Sequence, residues 1–477
     1  MGSISRLLKN TSLLMASNIA TKGLSALFIV YLAIYLQDYG FGQYNFALSF
    51  AMVFIIFSDL GLDALTIKDV ARYPERAGEY LESVGLLRLG LSLIMIATSM
   101  IIATIMGLDS YLVLVILVAG GIYLFDKMSG LFYAIFRARE RMEFEAGTQI
   151  AWKLIQVALG FGAIHFGFSL LGIMMILLLA SLIKTIIGFT MLVHIGIKPA
   201  RRGLSQRRIL KDTTPFAAYE IGNALYMNIA IILLFLFQTP QETGWFSAGL
   251  RIIMFMLLIP SAFDAAIYPL FSRLYGSSIG SMKFAYGKSM KFSLAVAIPA
   301  AVALAILSAE VSGLFGSNYS NTAEILVILA ALLPLYTLNL LMKTALWSGN
   351  AQRQAAINIW ISVVVISVAS YLMIMEWAYL GAAMALVVAE ATFMALNFKD
   401  CRRKGFPMGR YLGRSLVAGA SMIGAALAMQ FLTDGRINNY HLAFLSGLVY
   451  LLVILLSGFI TRSDRELFKN ALTRHRQ

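Results

Sequence analysis

Stretches of about 20 apolar residues, separated by short polar or charged connections, recur from one end of the chain to the other. As a helix, each rises about 1.5 Å per residue and crosses roughly 30 Å of hydrocarbon. Lipid offers no hydrogen-bond partners to a backbone, so such stretches must satisfy their own N–H and C=O groups as helices. Membrane β-barrel strands alternate apolar and polar residues, and this pattern is absent here. The fold class expected is an all-α polytopic membrane protein.

Fourteen spans are predicted, at about 11–36, 43–66, 83–107, 110–134, 146–166, 168–194, 212–237, 245–271, 285–308, 323–345, 354–375, 378–397, 412–432 and 441–461. The start, MGSISRLLKN, leads into apolar sequence with no small-residue cleavage site, so the first span is expected to be retained. The loops assigned to the outer side are short, and no folded domain is expected there.

The formal net charge of +14 is distributed unevenly. With the N-terminus inside, the inner segments hold Lys68, Arg72 and Arg76; Arg137, Arg139 and Arg141; the basic run 198–211; and the run 399–414. Arg436 is the cation of the outer loops. Basic residues collect on the cytoplasmic side, so this asymmetry predicts an even number of crossings with both termini cytoplasmic in the cell membrane. The same rule accounts for the charge without nucleic acid as a partner. The two long basic runs are expected to meet anionic lipid headgroups. Cys401 is the single cysteine, and no Cys/His spacing suits a metal, so no cofactor or metal is expected.

Segment 7–20, LLKNTSLLMASNIA, aligns without a gap on 209–222, ILKDTTPFAAYEIG. The same offset lays Gly42 on Gly244, Tyr44 on Phe246 and Leu48 on Leu250. Spans 1–2 thus repeat as spans 7–8. Two six-helix lobes, 1–197 and 198–404, are expected about a pseudo-two-fold axis along the membrane normal, followed by two further helices in 405–477.

Segment 40–72, GFGQYNFALSFAMVFIIFSDLGLDALTIKDVAR, resembles the matching stretch of the polysaccharide transporter family, the Wzx-type flippases of lipid-linked oligosaccharides in the MOP superfamily. Gly42 and Tyr44, the run Asp59-Leu60-Gly61-Leu62, and Asp69 and Arg72 carry the likeness. It implies alternating access: the lobes rock about a central cavity that passes a polyprenyl-pyrophosphate-linked oligosaccharide head. It also implies polysaccharide-assembly proteins as partners, and basic substrate contacts on helices 1 and 8.

Ionisable residues inside a membrane each cost about 2.5–3.5 kcal/mol on insertion scales and so mark candidate sites. Lys22 lies about 13 Å into span 1 and Arg251 about 9 Å from the outer surface in span 8, both beyond easy reach of cytoplasmic water. These two lead as phosphate contacts, Arg supplying a bidentate fork and Lys a point charge. Arg88 and Lys153 follow, with ion pairs to Asp59 or Asp126 as their alternative use. Lys127, Lys184 and Lys343 sit where a long side chain can snorkel. Glu220 and Glu390 are candidates to exchange H⁺ or Na⁺, or to pair with a nearby cation. Asn18, Asn45, Asn223, Tyr226 and Asn228 are candidate partners for sugar hydroxyls, against the alternative of bonding neighbouring helices.

Two other functions compete. A multidrug or small-molecule exporter of the MATE type shares the fold, but that branch commonly places an Asp on helix 1, where this chain has Lys22. A glycan polymerase or ligase is an enzyme that uses a large outer loop, and none is expected here. No enzymatic activity is expected.

Overall fold

The computed structural model describes residues 3–200, 204–407, 409–433, 436–457 and 459, with residues 3–16, 18, 19, 207, 208, 210–216 and 409–412 by backbone alone. Helices account for the described fold, and no strand occurs among those residues. In chain order they are α1 (Ser3–Ile55), α2 (Leu62–Arg72), α3 (Ala77–Ile105), α4 (Ser110–Ala138), α5 (Met142–His165), α6 (Leu170–His194), α7 (Gln206–Phe237) and α8 (Pro240–Met256). There follow α9 (Leu258–Ser277), α10 (Ile279–Ile306), α11 (Ser308–Gly313), α12 (Thr322–Leu329), α13 (Leu332–Ser348), α14 (Gln352–Arg403), α15 (Gly409–Leu432) and α16 (Asn439–Leu456).

Among the described residues nine helical segments are long and apolar enough to cross a membrane, and two bent pairs, α8 with α9 and α12 with α13, bring the number to eleven. The helices α1 and α14, of 53 and 52 residues, each contain one non-helical residue, Gln37 (φ 56°) and Ala378 (φ 48°). Each therefore holds two of the expected spans. The remaining one is α5, which among the described residues is not one of the segments long and apolar enough to count. Division at Gln37 and Ala378 and inclusion of α5 restore fourteen helices. A left-handed backbone at a non-glycine residue costs of order 1–3 kcal/mol, and it replaces the short loops expected near 37–42 and 376–377.

Helix starts follow local chemistry. Asp109 accepts from the Leu112 amide at 3.1 Å to begin α4, and Ser278 accepts from the Ser281 amide at 3.2 Å to begin α10. Such side-chain caps satisfy donors that the first turn leaves free.

Packing divides the chain into two compact units. The first comprises Met1–Arg251, Phe315–Tyr319 and Ile359–Leu386. One of its cores gathers Leu62, Val84, Leu131, Phe132, Phe136 and Leu192 from α2, α3, α4 and α6. The second comprises Ile252–Leu314, Ser320–Asn358 and Val387–Gln477. Its core holds Phe271, Met282, Tyr286, Met342, Cys401 and Phe406, and α15 and α16 dock onto it through Ala418, Met422 and Tyr450. The Tyr450 hydroxyl donates to the Ala295 carbonyl at 3.1 Å.

The basic segment 198–211 falls partly, and the tail beyond Phe459 wholly, outside the described residues.

Candidate functional site

At the Lys/Arg-poor end of the first unit, two glycines bring the sequence repeats into contact. A Cβ on Gly42 would overlap the Pro240 carbonyl oxygen, and one on Gly244 would overlap the Asp38 carbonyl oxygen. The contact is reciprocal: the offset that lays Gly42 on Gly244 also lays Asp38 on Pro240. Neither glycine has positive φ, so their selection here is steric. Around them the Trp245 indole donates to Asp38 Oδ2 at 3.0 Å and to the Asn318 carbonyl at 2.8 Å. The Tyr319 hydroxyl donates to the Ala33 carbonyl at 2.9 Å. Slightly deeper, Phe46 of α1 stacks on Phe235 of α7 with centroids 3.9 Å apart.

Arg251 lies seven residues after Gly244 in α8, about two turns, and so on the same helix face. It is exposed, whereas Gly244, Ser247 and Ala248 above it are buried. Its guanidinium Nη2 donates to Asn45 Oδ1 at 2.8 Å. Asn45 is 1% exposed and donates its own Nδ2 to the Phe41 carbonyl at 2.8 Å. Among the described residues no carboxylate forms an ion pair with Arg251.

Lys22 is also exposed. Exposed apolar residues Leu27, Tyr31 and Ile34 mark the face of α1 that suits lipid. Tyr31 lies nine residues from Lys22, two and a half turns, which puts Lys22 on the opposite face. None of the described ion pairs includes Lys22. Lys22 thus lies opposite the exposed apolar face of α1, Arg251 is exposed one turn from the exposed Met254 and Phe255, and neither is neutralised by a described acid.

The other candidates are placed differently. Arg88 is fully enclosed. Its guanidinium donates to Asp59 at 2.7 Å, Asp63 at 3.0 Å and the Lys127 carbonyl at 2.6 Å. Lys127 also pairs with Asp59, at 2.9 Å. Both cations are thus held in ion pairs. The acidic run that carried the family resemblance therefore staples α2, α3 and α4 together. Asp69 adds to it by accepting from the Tyr80 hydroxyl at 2.5 Å.

Lys153 is buried and donates to Gln156 Oε1 at 2.5 Å. Its ammonium and that of Lys184 each lie 4.4 Å from the Trp152 ring centroid. Lys184, expected to snorkel, pairs with Asp126 instead. This cluster holds two ammonium groups with one carboxylate in direct contact, and the second charge is spread over an indole face.

Asn223 is half-buried on α7. Tyr226 is 2% exposed, and Asn228 Nδ2 donates back to the Ala224 carbonyl at 2.8 Å. Asn18 was singled out from the sequence, but its side chain lies outside the described residues. Glu220 is exposed on α7.

Within the second unit, Glu390 is 3% exposed. Its Oε1 accepts from Asn339 Nδ2 at 2.6 Å. Asn339 Oδ1 accepts from Asn397 Nδ2 at 3.1 Å, and Asn397 Oδ1 from Asn358 Nδ2 at 3.0 Å. Asn358 Nδ2 also donates to Asp400 Oδ2 at 2.9 Å. A buried amide chain thus joins two carboxylates of α14 across α13. Sequence reasoning missed these three asparagines, although each lies in an apolar span and that depth was the available signal.

Known proteins resemble the chain at several levels. The family model described as "Polysaccharide biosynthesis protein" matches residues 7–275. The chain belongs to this family. For the polysaccharide biosynthesis protein family, the matched region takes in Lys22, Asn45, Arg88, Lys153 and Arg251 along with both contact glycines; Glu390 and its amide chain lie beyond it. A probable low-salt glycan biosynthesis flippase, Agl15, from Haloferax volcanii is 24% identical over 394 residues, covering 80% of this chain and 81% of its own. Among solved structures, a lipid II flippase MurJ in an inward closed conformation superposes with a TM-score of 0.72 at 16% identity, covering 95% of this chain and 99% of that one. A MOP superfamily transporter from Pyrococcus furiosus gives a TM-score of 0.60 at 15% identity, with 83% and 95% covered. An inward-facing MATE multidrug transporter gives 0.59 at 14%, with 83% and 94% covered. The fold is that of the MOP superfamily, and the protein is a multi-pass membrane protein.

Proposed function

We propose that this protein is a flippase that carries a polyprenyl-pyrophosphate-linked oligosaccharide across the cytoplasmic membrane by alternating access, with both termini in the cytoplasm. The observation that carries the reading is Arg251: an exposed cation below the Gly42–Gly244 contact, held by a neutral amide and not by an acid. A group in that state has four N–H donors left for phosphate oxygens and no charge partner to lose. Lys22, turned from the lipid face of α1, supplies the second positive charge. Each lies in one copy of the repeat, so lobes bounded near residues 197 and 404 would approach the pyrophosphate from two sides. The family membership and the flippase named among its relatives support this cargo, and a cationic site disfavours a cationic drug.

Arg88 leaves the set of substrate contacts, because its charge is consumed by Asp59 and Asp63. Lys153 stays as a reserve contact. Asn223 and Tyr226 remain candidates for sugar hydroxyls. Glu390 is the stronger candidate for exchange of H⁺ or Na⁺: it is buried, and the amide chain offers a polar line toward Asp400. Glu220 is the alternative carrier.

Reconstituted liposomes with a fluorescent polyprenyl-pyrophosphate glycan test the reading. Hydrogen bonds to charged groups contribute about 1.5–3 kcal/mol, so Lys22→Ala and Arg251→Ala should each slow translocation about 10- to 150-fold. Arg251→Lys should retain part of the rate, since it keeps the charge and loses the fork. Wild-type rates in both alanine variants would overturn the cationic site.

A further inference from the structure

The hydrogen bond between Arg251 and Asn45 has a particular address. Asn45 lies three residues after Gly42 on α1, nearly one turn, and Arg251 lies two turns after Gly244 on α8. The bond therefore joins the two repeat copies directly beneath the point where their glycines touch. Its geometry is over-determined. With Nδ2 committed to the Phe41 carbonyl at 2.8 Å, the amide must present Oδ1 to the guanidinium. The flipped amide would set donor against donor and acceptor against acceptor.

The pseudo-symmetric counterpart is not equipped to do the same. The offset that aligns the glycines lays Asn45 on Ser247 and Ser49 on Arg251, so the equivalent pair is two serines. The Ser247 hydroxyl is buried without a hydrogen-bond partner. Among the described residues, the Trp245–Asp38 bond joins the copies at the glycine contact itself, and the Arg251–Asn45 bond, on one side of the pseudo-axis, joins them at the depth of the anion site.

We propose that Asn45 is a positioning residue that makes occupancy of the Arg251 site release the glycine contact. This rests on the reading of Arg251 as a pyrophosphate contact. A neutral amide oxygen holds the guanidinium while the site is empty. A phosphate offers two charged oxygens in place of one neutral one, and charge-assisted bidentate bonds are stronger. Arg251 therefore exchanges Asn45 for the headgroup, and the cross-repeat bond is lost only when cargo is present. A carboxylate at position 45 would not be displaced in this way. A neutral acceptor is the residue type that the exchange requires.

The test uses full-length protein in liposomes with Cys401→Ser, and spin labels on cysteines replacing Tyr39 and Gln241, whose separation reports the glycine contact. Farnesyl pyrophosphate is the probe, with inorganic pyrophosphate as a parallel arm to show whether the lipid tail is needed. In the otherwise unmodified protein the probe should move the distance distribution from short to long. Asn45→Ala should raise the long-distance population without probe about tenfold and tighten probe binding by a similar factor. Asn45→Asp should do the reverse: the short distance persists and probe binding weakens about tenfold or more. A merely structural role would move the distances but would not tighten probe binding in Asn45→Ala. If Asn45→Ala does not fold, the Asn45→Asp arm decides alone. Distances and affinities unchanged in the Asn45 variants, while Arg251→Ala abolishes binding, would overturn the proposal and leave the anion site intact. Unchanged probe binding in Arg251→Ala would instead remove the anion site itself.

Discussion

Gly42→Ala adds one methyl group at a place where its position can be stated. Gly42 is helical with negative φ, so alanine fits its backbone and, by propensity, favours the helix by about 0.5–1 kcal/mol. That gain applies equally to any conformation in which α1 keeps its helix. The steric term does not. The added Cβ would overlap the Pro240 carbonyl oxygen, and a backbone atom cannot rotate away as a side-chain tip can. Overpacking of this kind costs about 1–3 kcal/mol, and it is charged only to the conformation in which Gly42 and Pro240 touch. The balance between touching and separated states should shift about 5- to 150-fold toward separation. Gly244→Ala should act in the same direction, through Asp38. Spin labels at positions 39 and 241 would read the population, and a liposome assay the rate of translocation. Both variants should show long distances without cargo and slow turnover, because the return to the touching state becomes the costly step. A wild-type distance distribution in Gly42→Ala would refute the account. It would mean that the contact relaxes by a small helix displacement and does not govern the conformational balance.

Arg88→Ala should act on stability and not on transport. Removing one partner from a buried ion-pair network costs about 3–5 kcal/mol, so the variant should unfold at lower temperature in detergent while the fraction that remains folded transports normally. Normal melting with lost transport would return Arg88 to the substrate contacts. Glu390→Gln should remove the dependence of transport on an imposed ion gradient while leaving probe binding intact, and Asn339→Ala, which strips Glu390 of its 2.6 Å donor, should share that phenotype. Gradient-driven transport that persists in Glu390→Gln would shift the coupling role to Glu220.

The membrane-spanning architecture was legible in the sequence because it depends on local quantities. Length and hydropathy of each stretch suffice to predict a spanning helix, whatever it packs against. The repeat was legible for the same reason, since Gly42 and Gly244 align without reference to any contact. Their mutual approach was not legible: nothing in an alignment says that two equivalent residues meet across their own pseudo-axis. Lys22 and Arg251 could be singled out by depth, because a buried charge is conspicuous in an apolar run. Arg88, ranked behind them with an ion pair to Asp59 as its alternative use, is absorbed by Asp59 and Asp63.

What the sequence determined by itself is the list of charges and amides that lipid must somehow accommodate, and the helices that carry them. Which of those groups neutralise one another was decided only by tertiary structure. Pairing depends on distances of about 3 Å between residues 68 positions apart for Lys127 and Asp59 and 206 apart for Arg251 and Asn45, and helix periodicity fixes such distances within one helix but not between two. The separation of Arg251, held by an amide, from Arg88, held by two carboxylates, is a property of the packing alone.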